Sequence, residues 1–262
     1  MKKESIGLIG FGAIGKDIYH KISKNFIDGY KIIGIFSKDI NESKIKQNLK
    51  CHSLTELLKK KPNLIIESAS VEALKEYAEI ILKKGIDFLC LSVCGFADKA
   101  FFNRIYNLKK KIKNKIYIPS GAIAGLDAIS ASALSNELQS VQLIQRKPPL
   151  ALLSKEEARI LKKEKILSNT TARKACLSFP RNSNIAGTLA ICGIGFDKTK
   201  VIVIADPKVK KNIAQIKASG KFGGLKIILE NNLSNNSKTS KLTAMSVLQS
   251  LEKRKNSFLC PF

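Results

Sequence analysis

The sequence predicts an α/β fold in two parts: a parallel sheet with helices on both faces, then an α+β domain carrying an open mixed sheet. Three observations predict it. Short apolar runs alternate with helical patterns up to about residue 118. A Gly-x-Gly-x-x-Gly spacing joins the first apolar run to the first helical pattern. After "IYIPSGAIAG" the alternation gives way to closely spaced strand patterns.

In chain order, "SIGLIG" reads as a strand and "AIGKDIYHKISK" as a helix, with Ile14, Ile18 and Ile22 on one face. "YKIIGIF" is a second strand. "SLTELLKK" is a helix that Ser53 caps, with Glu56 at the capping-box spacing. "NLIIES", a helix over Val71–Lys84, and "DFLCLS" supply further β–α units. Small residues over Gly121–Leu134 predict one helix packed closely on a neighbour. Strands follow at Val141–Lys147, Thr199–Ala205, Asn212–Ser219 and Leu225–Glu230, with a helix at Ile185–Cys192. The amphipathic run Leu242–Leu251 is expected to return to the first domain. The expected division is residues 1–118 with 240–262, and residues 119–239.

The hydrophobic fraction of 44% suits a chain with a proper core. No apolar run reaches the roughly 18 residues that span a bilayer, and Met1-Lys2-Lys3 followed by Glu4 does not read as a secretory leader. The formal charge of +25 raises nucleic acid as a partner. The lysines are spread along the whole chain, however, and only six of the 46 basic residues are arginine, the side chain preferred for bidentate phosphate contacts. A solvated basic surface that attracts a small acidic substrate is the expectation, with no nucleic-acid partner. Cys51, Cys90, Cys94, Cys176, Cys192 and Cys260 form no CxxC pair, and with two histidines no metal site is expected. Reduced thiols point to the cytoplasm.

The glycine spacing carries chemistry. Gly10 permits a tight turn, Gly12 lets backbone approach a pyrophosphate, and Gly15 lets the helix lie against the strand. With the amides at Ala13 and Ile14, these residues are expected to hold the phosphates of NAD or NADP in a Rossmann-type domain. An acid ending the second strand would favour NAD. Here the run is Phe36-Ser37-Lys38, with Asp39 one position late. Ser37 and Lys38 suit a 2′-phosphate, while Asp39 or a backbone group would serve a plain ribose, so both cofactors stay open.

The segments "ESASVEALKEYAEIILKKGIDFLCLSVCGFAD", "PSGAIAGLDAI", "FPRNSNIAGTLA", "VIVIADP" and "NSKTSKLTAMSVL" come in an order that resembles the L-aspartate dehydrogenase family. The resemblance runs from Gly7 to about Leu251. It implies a dinucleotide-binding domain followed by a catalytic and dimerisation domain, and a homodimer. It implies NAD(P)-dependent conversion of L-aspartate to iminoaspartate, a precursor for pyridine nucleotide synthesis, or reductive amination of oxaloacetate. It also implies that Ala124 and Asn184 meet the nicotinamide; by residue type alone they read equally as close helix packing and a helix cap. For a dicarboxylate substrate, Arg181 and the Lys238-Thr239-Ser240 turn are the candidates, against readings as surface charge and cap.

Water attack on an imine and release of ammonia call for a group that titrates near neutrality. In the family that group is a histidine in an Asn-x-His segment after "ADP". This chain has Asn212-Ile213-Ala214. His20 and His52 lie in the first domain, and Asp127 reads as a polar helix residue, so the catalytic residue is left unassigned. An enzyme with slowed proton transfer, or one reducing a preformed imine, is expected. The alternative is a catalytically impaired NAD(P)-binding protein used for sensing or assembly.

Overall fold

The computed structural model describes residues 3–38, 40, 45–232 and 240–255. The chain divides into two compact units, one running to Pro119 and resuming at Ala244, the other Ser120–Thr243.

The first unit is built on a six-stranded parallel sheet. Its strands are β1 (Glu4–Ile9), β2 (Tyr30–Phe36), β3 (Lys50–Cys51), β4 (Leu64–Glu67), β5 (Asp87–Cys90) and β6 (Ile116–Tyr117), in the order β3-β2-β1-β4-β5-β6. The order reverses beside β1, and such a switch point leaves a crevice at the carboxyl ends of the strands. The crossovers are α1 (Ala13–Ser23), α2 (Leu54–Lys59), α3 (Val71–Lys83) and α4 (Lys99–Lys109). The starts of the last three are fixed locally. Ser53 Oγ accepts from the Glu56 amide, Ser70 Oγ from Ala73 and Asp98 Oδ1 from Phe101. Central strands buried on both faces read as continuous apolar runs, which is why "LIIE" is buried throughout. Ile6, Leu8, Ile18, Ile22, Ile35, Leu64 and Ile66 make one core, joined by Ala244, Val247 and Leu251.

The second unit holds a five-stranded mixed sheet. Its strands are β7 (Leu138–Lys147), β8 (Lys165–Thr171), β9 (Lys200–Ala205), β10 (Asn212–Gly220) and β11 (Gly223–Asn231), in the order β11-β10-β7-β9-β8. Although β9 and β10 follow each other in sequence, β7 lies between them, parallel to one and antiparallel to the other. The helices are α5 (Leu126–Leu134), α6 (Lys155–Ile160), α7 (Ala172–Ser178) and α8 (Asn184–Cys192). One sheet face is apolar and buried, with Leu143, Val201 and Ile216 inaccessible to solvent. On the opposite face the row Ile228–Gln215–Ile144–Ile202 is partly open. The last helix, α9 (Leu242–Lys255), begins at the unit boundary and belongs from Ala244 to the first unit.

The single helix expected over Gly121–Leu134 is shorter than the small residues implied. Gly121 and Gly125 both have positive φ, so residues 121–125 form turns and the helix starts at Leu126. The strand β8 was not anticipated. Its "KILSNTT" sequence lacks alternation because it sits at the sheet edge, open to solvent over much of its length. No helix among the described residues is long and apolar enough to cross a membrane.

Candidate active site

In the first unit, β1 runs into the glycine turn. Gly10 has φ +88, and a Cβ there would sit 2.7 Å from the Ala69 backbone. A Cβ at Gly15 would overlap the Gly10 carbonyl oxygen, so only glycine lets α1 lie this close to the turn. Ser68 Oγ holds the turn from the neighbouring loop, donating to the Ile9 and Gly10 carbonyls at 3.3 and 3.2 Å.

The mouth of α1 is bare. Gly12 offers no side-chain cap, the first turn carries no acid, and a Cβ at Gly12 would meet nothing within 4 Å. The amides of Ala13, Ile14 and Gly15 precede the first intrahelical bond, which Lys16 donates to Gly12. Free amides, a helix dipole and open space against backbone fit a diphosphate. At the end of β2, Ser37 is half-buried and its carbonyl accepts from the Ile40 amide, while Lys38 is exposed; Asp39 lies outside the described residues.

Beside this turn, Glu67 ends β4 with no solvent exposure. Its carboxylate accepts from the Ala69, Leu91 and Ser92 amides and from Ser92 Oγ. Burial pushes its pKa up, against the pull of those donors.

In the second unit, polar groups gather at one end of the buried sheet face, where β7 and β11 finish and β10 begins. Asn212 pairs with Asn231 across β10 and β11. Asn212 Nδ2 donates to Ser240 Oγ at 3.2 Å, and Asn231 Nδ2 donates to the Ala122 carbonyl at 3.0 Å. The second bond ties the turn that carries Ala124 to the end of β11, and Ala124 itself is exposed rather than packed. Lys147, only 6% exposed, donates to the Asn182 carbonyl and Oδ1, both at 3.2 Å. Asn182 stands between Arg181 and the start of α8. The N-cap of α8 is Ser183, not Asn184, which is the first helical residue and takes the Thr188 hydroxyl on its carbonyl.

The sequence candidates are therefore gathered unevenly. Ser240 meets Asn212, two residues ahead of buried Ala214 on the same face. Arg181 is exposed and forms no ion pair among the described residues. Lys238 and Thr239 lie outside the described residues. His20 and His52 are exposed on the first unit, and Asp127 is exposed in the first turn of α5.

Sequence reasoning missed Lys147, Asn182, Asn231 and above all Gln145. Gln145 is 1% exposed and lies directly opposite Ala214 in the β7–β10 register, with neither amide atom hydrogen bonded among the described residues. A signal was present. Val141, Leu143, Gln145 and Lys147 share the buried phase of β7, where two polar residues have no place in a plain core.

Asp206, the acid of the "ADP" turn, is committed elsewhere. Its carboxylate accepts from the Lys208 amide at 2.8 Å and from Arg146 at 2.6 Å, and Arg146 also pairs with Glu164. Burial opposes ionisation of Asp206, but these donors outweigh it and hold the carboxyl below its ordinary range. Among the described residues no group of three His, Cys, Asp or Glu is placed to hold a metal ion.

Residues 127–254 match the family described as aspartate dehydrogenase, C-terminal, and residues 10–119 match the homoserine dehydrogenase NAD-binding domain. The L-aspartate dehydrogenase of Methanosarcina barkeri is 37% identical, over 95% of this chain and 96% of its own. That of Nitrosopumilus maritimus is 34% identical over 95% of each chain. Among solved structures, aspartate dehydrogenase from Thermotoga maritima matches with a TM-score of 0.77 at 28% identity, covering 98% of each chain. A hyperthermophilic archaeal homoserine dehydrogenase, at 15% identity and a TM-score of 0.62, shares the fold.

Proposed function

The chain belongs to the L-aspartate dehydrogenase family, and on that premise we propose that it interconverts L-aspartate and iminoaspartate, or aminates oxaloacetate reductively. It is an NAD(P)-dependent oxidoreductase of the type acting on a CH–NH2 group, with an aspartate-like substrate. The observation that carries the reading is the bare mouth of α1, where open amides meet a glycine turn no other residue type would fit.

When bound, the nicotinamide supplies or accepts the hydride. The chain's own part is binding and orientation. Gly10, Gly12, Ala13, Ile14 and Gly15 hold the pyrophosphate, and Ser37 with Lys38 receives the ribose or its 2′-phosphate. Ala124, in a turn held by Asn231, and Asn184, opening α8, are assigned to the nicotinamide. Lys147 and Ser240 are the buried candidates for a substrate carboxylate, with Arg181, Lys238 and Thr239 as further ones. Support for Lys147 comes from its burial beside Asn182. In the cytoplasm, where reduced thiols such as those of Cys51, Cys90 and Cys176 persist, the product would feed pyridine nucleotide synthesis. A homodimer is proposed through the open sheet face of the second unit.

Ala214 favours a second reading, a catalytically impaired NAD(P)-binding protein used for sensing or assembly. One experiment separates the two. Oxaloacetate with ammonium should make the wild-type protein consume NADH or NADPH, followed at high protein concentration. Ala214→His should raise that rate at least tenfold, since a general acid/base contributes about 10²–10⁴-fold. Cofactor binding without oxidation in either protein would establish the second reading.

A further inference from the structure

We propose that the Gln145 carboxamide, opposite Ala214 in the buried sheet face, contacts the substrate and holds its reacting nitrogen. The inference rests on the dehydrogenase reading and deepens it by naming the form of substrate the site takes, an imine that arrives already made.

Register fixes the geometry. Gln145 on β7 faces Ala214 on β10 and Val203 on β9, and opposed residues put their side chains on one face with Cβ atoms about 4.5–5.5 Å apart. Alanine contributes a single methyl, so the amide of Gln145 meets no polar side chain from directly across either neighbouring strand. At 1% exposure both Nε2 and Oε1 are unpartnered among the described residues. Asn212, two residues before Ala214 on the same face, spends its Nδ2 on Ser240, and its Oδ1 has no partner among the described residues.

Stability alone does not explain glutamine here. A buried polar group without a partner costs about 1–3 kcal/mol. Its neighbours on this face include Leu143 and Val203, both buried, among which an unbranched apolar side chain of the same length would carry no such penalty. Buried polar atoms without a partner mark a place where a ligand's own polar atoms would complete the bonding.

The chemistry of the amide selects the ligand. A carboxamide offers one acceptor oxygen and two N–H donors and does not titrate in the physiological range. Oε1 suits the N–H of a protonated imine, and Nε2 and the Asn212 oxygen remain for the substrate's other polar atoms. Reduction of an iminium needs no proton from the protein. The carbon gains a hydride from the reduced nicotinamide, the C=N bond becomes C–N, and the positive charge passes to the oxidised nicotinamide. The amine then takes a proton from solvent. Water attack and ammonia release do need proton transfer, and an amide supplies none. The charged group on the same face of β7 is Lys147, while Arg146 with Asp206 occupies the alternate phase.

The test uses the full chain with oxaloacetate and ammonium, which form the imine in solution, and NADH or NADPH. Gln145→Met should lower kcat at least tenfold while the cofactor Kd stays within twofold and the urea midpoint holds or rises. Gln145→Glu keeps the shape; its activity should recover as pH falls and the carboxyl becomes a neutral donor and acceptor, and the Met variant should show no such recovery. Wild-type turnover matched within twofold by Gln145→Met would overturn this inference and leave the dehydrogenase reading standing. If the wild type binds cofactor but does not turn over, calorimetry with L-aspartate, which carries the same nitrogen as an ammonium, reads the same contact. A tenfold weaker Kd in Gln145→Met then supports it, and an unchanged one overturns it.

Discussion

Glu67 shows what single residues do in this chain and what sequence reveals of them. Burial raises its pKa above the ordinary 4.5. An acid shifted upward by folding contributes fully below its unfolded value, and that contribution is lost as pH rises through the folded one. Its share of stability is therefore expected to shrink above pH 4.5. Urea midpoints measured across that rise should fall in the wild type, and Glu67→Gln, which cannot ionise, should remove this part of the slope. At the acid end the variant should be weaker by about 1–3 kcal/mol, because one amide nitrogen must face a backbone N–H. A slope identical in both proteins would mean that Glu67 does not carry it. Residues with a chemical imperative, such as Gly10 and Gly15, were legible from sequence. Gln145 was hidden because its meaning depends on a partner sixty-nine positions away, and register cannot be read from one strand alone.

Among elements, α9 repays attention to its ends. Arg254 pairs with Glu4 on β1 and Asp87 on β5, stacks over Tyr117, and is the centre of a partly buried charge cluster. Burial opposes its charge, yet Glu4 and Asp87 outweigh it and raise its pKa. Tyr30 Oη donates to the Leu251 carbonyl at 2.8 Å in the same region. Arg254→Met should cost about 2–4 kcal/mol by urea denaturation, since two acids would be left half-buried without their cation. A loss below 0.5 kcal/mol would assign α9's attachment to apolar burial alone. Elements with strong periodicity, such as α3 and β10, could be placed from sequence to within a few residues. The edge strand β8 could not, because solvent on both sides removes the alternation that marks a strand. The turns at 121–125 were mistaken for helix because alanine and glycine suit both, and only the positive φ of Gly121 and Gly125 separates them.

At the scale of the whole molecule, the β-sheet of the second unit leaves Ile144, Ile202 and Ile228 partly exposed in one row. Cross-strand isoleucines on an open face are a surface that a second copy can bury. Ile144→Asp should turn the proposed dimer into a monomer in sedimentation velocity, with the far-UV spectrum unchanged. A wild-type monomer at micromolar concentration would end the dimer proposal.

The first unit is discontinuous: its final helix is separated from its sheet by the whole of Ser120–Thr243. During synthesis the ribosome delivers β1 to β6 early, but Ala244, Val247 and Leu251 emerge only after the entire insertion. The nucleotide-binding part of the nascent chain must therefore wait with a gap in its hydrophobic interior. Early collapse of the inserted unit would ease the closure that ends this wait, because a compact insert closes the long connection with less loss of chain freedom than an extended one.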